Sequence, residues 1–113
     1  MTVGISGDSC AAVSIAAGCD AWYSVIGGIF PHTARALLTA AQAQDTSDAM
    51  QMSEALAPLW ELFTKYRGSL RVVAAAASLL GIVKAPALPL PLQPIHTDDV
   101  NLLASLIDRL QLK

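Results

Sequence analysis

The chain has 113 residues, with seven Lys plus Arg against nine Asp plus Glu and no run of either sign, which excludes the basic stripe that nucleic-acid binding requires. One small domain of this length buries about 60–70% of its unfolded surface and falls short of a complete (β/α)8 barrel, which needs roughly 200 residues or more. Apolar residues reach 54% and charged residues only 14%, against usual values of about 45–50% and 25%, so part of the apolar surface is expected to be covered by further chain or by a partner subunit.

In chain order, Thr2 to Ile5 is a short β-branched run, and Ser6-Gly7-Asp8-Ser9 is turn chemistry in which Asp8 or Ser9 can cap a following helix. That helix, Ser9 to Ala17, has Cys10, Val13 and Ala17 at i, i+3 and i+7, and its small side chains predict close packing on a sheet. Gly18 stops it. Ala21 to Ile26 follows as a second strand, apolar on both faces apart from Ser24, the pattern of a buried parallel strand. Strand, helix and strand make one βαβ unit.

Gly27-Gly28 leads into a helix from Phe30 to Gln44, with Pro31 in its first turn and Ala34, Leu37, Leu38 and Ala41 facing inward. Asp45 to Asp48 interrupts it and caps a further helix reaching about Lys65. Its stripe is Met52, Leu56, Leu59, Trp60 and Phe63, and Pro58 must kink it, because proline lacks the N–H that the helical ladder uses. Tyr66 to Ser69 is a turn before a helix marked by Leu70, Val73, Ala77 and Leu80 and closed by Gly81. Four prolines between Pro86 and Pro94 predict an extended, polyproline-like strap. Thr97-Asp98-Asp99 caps a last helix with Val100, Leu103, Leu106, Ile107 and Leu110 inward. Five helices thus accompany two strands, and two parallel strands are not a stable sheet in isolation.

Chemistry-bearing residues are sparse. Cys10 and Cys19 match neither a CxxC pair nor a zinc spacing and read as reduced, buried small groups. Lys65, Lys84 and Lys113 lie in helix ends, turns or the terminus. His32 and His96 have no carboxylate, Ser or Cys at an informative spacing. No catalytic residue, metal or cofactor is therefore predicted. In parallel α/β folds ligands meet the carboxyl ends of strands, which places the candidate site at Ser6-Gly7-Asp8 and at Val25 to Gly28. The start of the chain has no basic region before an apolar stretch, and Val72 to Val83 is about half the roughly 20 residues of a membrane span. A cytoplasmic protein without membrane or nucleic-acid partners is expected.

The order of elements resembles a known family. Ser6-Gly7-Asp8 after a strand, Gly18-Cys19-Asp20-Ala21 before the next, Gly28-Ile29-Phe30-Pro31, Leu56-Ala57-Pro58-Leu59, Leu79-Leu80-Gly81-Ile82 and the Leu-Pro-Leu strap look like the C-terminal part of the dihydrodipicolinate synthase and N-acetylneuraminate lyase family. The resemblance implies an incomplete TIM barrel: the last two β/α units in residues 1–44, then a C-terminal helical extension in residues 45–113. Members are class I aldolases and related lyases, in which a sixth-strand lysine forms a Schiff base with pyruvate or another 2-oxo acid, assisted by a fourth-strand tyrosine. Both elements would precede this sequence, and what the resemblance assigns to it is the substrate-pocket rim, from the loop after strand seven and the end of strand eight: Ser6, Gly7, Asp8, Ser9, Ser24, Gly27 and Gly28. The chain departs from the family pattern at Gly28, where many relatives have Asn, at Ala21, where glycine is common, and at Arg67-Gly68-Ser69-Leu70-Arg71, which replaces Asn-Pro-x-Pro-x-Lys. The resemblance implies a portion of a Schiff-base lyase that is not competent alone, partnered by a complementing N-terminal chain or by further copies. The alternative is an autonomous helical module for interaction or oligomerisation.

Overall fold

The computed structural model describes residues 1–113, and they fall into two units, Met1–Ala57 with Lys113, and Pro58–Leu112. The first unit opens with β1 (Gly4–Ser6), a 3-10 turn (Asp8–Cys10), α1 (Ala11–Ala16) and β2 (Ala21–Tyr23). The two strands pair in parallel, with Gly4 opposite Ala21, Ile5 opposite Trp22 and Ser6 opposite Tyr23. This is the predicted βαβ unit, and Gly18, at φ 109°, ends its helix in a conformation that side-chain-bearing residues disfavour. The second strand is shorter than predicted. After Tyr23 the chain leaves the extended state, and Ile26–Gly28 forms a second 3-10 turn.

Alternation along the strands sorts their side chains between two faces. Ile5 and Trp22 join a cluster built on Ala12, Ile15, Leu37, Ala41 and Ala49. Gly4, Ser6 and Tyr23 lie on the opposite face and are exposed. The buried side of α1 is therefore Ala11, Ala12 and Ile15, whereas Cys10, Val13 and Ala17 point to solvent. The predicted stripe of Cys10, Val13 and Ala17 is therefore the outer face, and Ile15, the largest side chain of the helix, lies on the inner one. Both cysteines are free as expected, but Cys10 is exposed and Cys19 only half-buried.

After the second turn come α2 (Pro31–Ala41) and α3 (Ser47–Ala55). The predicted inner stripe of α2 is largely correct, with Ala34, Leu37 and Ala41 buried and Leu38 half-buried. Pro58 does more than kink the next helix: α3 ends before Leu56, and α4 (Ala57–Lys65) restarts with proline in its first turn, where no backbone N–H is needed.

In the second unit, α5 (Leu70–Leu79) and α6 (Thr97–Arg109) pack together, and Val72, Ala76, Leu103 and Leu106 are almost wholly buried. Of the residues that mark this helix in the sequence, Ala77 is buried, whereas Leu70 and Leu80, the latter just past the end of α5, are exposed; the buried side is Val72, Ala76 and Ala77. Residues between α5 and α6 form no helix or strand, and a turn with Leu92 N–H donating to the Pro89 carbonyl (3.0 Å) interrupts the strap, so it is not a uniform polyproline helix. The α6 N-cap is His96, without a side-chain cap. Asp99, read as a cap, is buried instead and serves another purpose.

Candidate functional site

The seven candidate residues lie at or just after the carboxyl ends of β1 and β2, and the Asp8 carboxylate ties those two ends together. Its carboxylate is buried. Oδ1 accepts hydrogen bonds from the Trp22 indole Nε1–H (3.0 Å) and the Val25 backbone N–H (3.1 Å), and Oδ2 accepts from the Ile26 N–H (2.8 Å). Asp8 thus caps the turn after β2 rather than the helix that follows it in sequence. It ties the two strand ends together through a charge-assisted cluster. Gly7, at φ 127°, turns the chain so that Asp8 points inward. The Ser24 hydroxyl accepts from Gly27 N–H at 2.8 Å and closes the same turn, with Gly28 exposed at its end. Ser9 is exposed, its Oγ 3.8 Å from Cys10 Sγ.

Ser6 and Tyr23 stand opposite one another on the exposed sheet face. Tyr23 is 69% exposed. Its ring lies so close over Gly4 that a Cβ there would sit 2.6 Å from Cε2. The sequence pattern, a strand apolar on both faces from Ala21 to Ile26, does not single out Tyr23 as exposed. The signal that locates it is the period-two alternation with Ser6 once the register is known, and the register is not written in the sequence of either strand alone.

A second cluster lies wholly within the second unit. Tyr66 donates its hydroxyl proton to Asp99 Oδ2 in a short hydrogen bond and accepts from the His96 backbone N–H (3.0 Å), while Lys65 Nζ pairs with the same carboxylate oxygen at 2.8 Å. The hydrogen bond from Lys65, then that from Tyr66, holds the Asp99 carboxyl below its usual value; the bond to Asp99 in turn holds the Lys65 amine above its own. Arg71 stacks its guanidinium 4.8 Å from the Tyr66 ring centre and donates from Nε to the Gln93 carbonyl (2.6 Å) and from Nη2 to that of Pro94 (3.1 Å).

Residues 3–110 match the model of the Dihydrodipicolinate synthetase family. The chain belongs to this family. Among solved structures it is similar to dihydrodipicolinate synthase from Agrobacterium tumefaciens, at 34% identity and a TM-score of 0.89 over 96% of this chain and 36% of that one. It also shares its fold with a monomeric dihydrodipicolinate synthase variant, at 23% identity and a TM-score of 0.84 over 100% of this chain and 37% of that one. The 2-keto-3-deoxygluconate aldolase of Sulfolobus follows at 14% identity and a TM-score of 0.77, over 98% of this chain and 38% of that one. The chain therefore spans little more than a third of the length of these family structures. No curated protein sequence matches it.

The family match upholds the resemblance read from the strand, turn and strap motifs. It also upholds an α/β fold with two parallel strands and mostly helical content, consistent with an incomplete barrel. None of the three lysines lies at a strand end. Lys65 is the last residue of α4, and Lys84 and Lys113 are exposed outside any helix or strand. No three His, Cys, Asp or Glu residues group to hold a metal ion, and no helix is long and apolar enough to cross a membrane.

Proposed function

We propose that residues 1–44 are the last two β/α units, and residues 45–113 the C-terminal helical extension, of a class I aldolase-type lyase acting on pyruvate or another 2-oxo acid. The observation that carries this reading is the family match over nearly the whole chain, joined to a parallel βαβ unit whose two strand ends are locked together by one carboxylate. In a closed barrel the sheet face away from the helices lines the interior, and chemistry sits at the carboxyl ends of the strands. That face here bears Ser6 and Tyr23, beside the rim residues Gly7, Asp8, Ser9, Ser24, Gly27 and Gly28.

A Schiff base forms when an uncharged lysine amine adds to the 2-oxo carbon and water leaves, so the amine must sit where its pKa is depressed. Lys65 is held charged by Asp99 instead, and Lys84 and Lys113 are exposed. The reacting lysine is therefore assigned to the barrel strands that these residues do not include, supplied by the same chain or by a complementing one. This chain's part is to close the barrel and shape the pocket. The Asp8 carboxylate, with both oxygens already bonded, positions the rim. The Ser6 and Tyr23 hydroxyls are free to meet polar groups of the substrate.

The test is reconstitution. Supplying the six preceding β/α units, with their lysine and tyrosine, to this chain is expected to yield cleavage or condensation activity on a 2-oxo acid that neither part shows alone. Failure of a folded, stoichiometric complex to turn over any 2-oxo acid contradicts the reading. A helical interaction module remains the second reading, favoured by the separate compact unit Pro58–Leu112 with its own buried residues. It predicts association through that unit with no contribution to catalysis.

A further inference from the structure

A groove of about 230 Å³ lies within the second unit between α5 and the proline strap. Ala74, Ala75 and Ser78 of α5 line it with Pro86 and Ala87 of the strap, and Arg71 is its only charged lining residue. The Ser78 hydroxyl is already committed to the Ala74 carbonyl at 3.1 Å. Arg71 is not exhausted in this way. A guanidinium carries five N–H donors, and the strap carbonyls of Gln93 and Pro94 take Nε and Nη2. Both acceptors are neutral. The ion pair of this unit is Lys65–Asp99, so the Arg71 charge meets no carboxylate. The Tyr66 ring beneath it and the two carbonyls fix its plane. An oriented, uncompensated guanidinium beside an alanine-lined groove is complementary to one carboxylate joined to a short apolar tail.

We propose that this groove binds a small amphipathic monocarboxylate, whose carboxylate meets Arg71 and whose tail lies along Ala74 and Ala75 of α5. An apolar cavity of about 150 Å³ holds the six carbons of benzene, so a groove of about 230 Å³ has room for the roughly eight non-hydrogen atoms of hexanoate. The site shares no residue with the strand-end rim and does not depend on the lyase reading.

Titrating the isotope-labelled full chain with hexanoate, followed by NMR, tests the proposal. Saturable shifts are expected for amides of α5 and the strap, with hexanol binding roughly tenfold or more weakly because it lacks the charge-assisted bonds. Arg71→Gln is expected to reduce hexanoate binding to the level of hexanol. Because Arg71 also holds the strap, Ala75→Leu provides an independent variant: it leaves Arg71 in place, fills the groove and is expected to abolish the shifts. Equal affinity for hexanol and hexanoate, absence of saturable shifts, or unchanged binding by Ala75→Leu overturns the proposal. So do shifts at the groove that follow protein concentration instead of ligand, which would assign the groove to a second copy of the chain.

Discussion

Asp8 shows how much one residue decides at the strand ends. Replacing it with alanine removes the acceptor for the indole of Trp22 and for two backbone N–H groups. Leaving such buried donors unpaired costs about 1–3 kcal/mol each at most, less for those that water can reach. We expect Asp8→Ala to lower the stability of the chain by about 2–3 kcal/mol, read as a fall in the urea midpoint. A loss below about 0.5 kcal/mol, within the range of an ordinary surface substitution, would mean that the carboxylate is not the tie between the strands. The sequence placed Asp8 at the strand end but assigned its carboxylate to the nearest helix. The real partners are 14 to 18 residues away, and no local rule couples positions across a crossover.

At the scale of elements, α1 provides a direct contrast between the two possible inner faces. Ile15 is 6% exposed and Val13 59%. Ile15→Ala is expected to cost about 2–4 kcal/mol and Val13→Ser less than about 0.5 kcal/mol, both from chemical denaturation. A reversal of that order would restore the Cys10, Val13 and Ala17 face. The helix was legible from its alanines and from Gly18, but its rotation was not: in an alanine-rich segment the hydrophobic contrast is small, and the buried face carries Ala11 and Ala12 as well as Ile15. A disturbance at Pro58 was legible because proline acts on the backbone itself, although the sequence predicts a kink and the structure has two helices.

The junction of α4 and α6 makes a pH-dependent contribution. The Asp99 pKa is lowered from 3.8, so its contribution is present above that value and lost as pH falls through the depressed one. The Lys65 pKa is raised from 10.5, so its contribution is present below that value and lost as pH rises through the raised one. The stability difference between the native chain and Lys65→Met is thus expected to be flat between those limits and to shrink in acid below pH 3.8 and in base above pH 10.5. A difference that does not change with pH would remove the ion pair from the account. Tyr66→Phe takes away both the bond to Asp99 and the acceptor for His96 N–H, and is expected to cost about 1–2 kcal/mol.

For the whole molecule, the composition already pointed to uncovered apolar surface, and the structure locates it. Val3, Val13, Tyr23 and Val25 are exposed in the first unit, and Leu79, Ile82 and Leu90 in the second. We expect the purified chain to self-associate in sedimentation velocity, at protein concentrations where a covered version would be a monomer. A monomer with a single cooperative unfolding transition would contradict this. The family was legible because the order of turn and strap motifs survives where single residues do not: Gly28 and Arg67 to Arg71 depart from the pattern, yet strand, turn and helix follow one another as in the relatives.

The most direct test is borohydride reduction in the presence of pyruvate, read by intact mass and peptide mapping. With the six preceding β/α units supplied, the account predicts one trapped adduct on a lysine of those units, and none on Lys65, Lys84 or Lys113. An adduct on any of these three lysines, or no adduct from a folded complex, would contradict it.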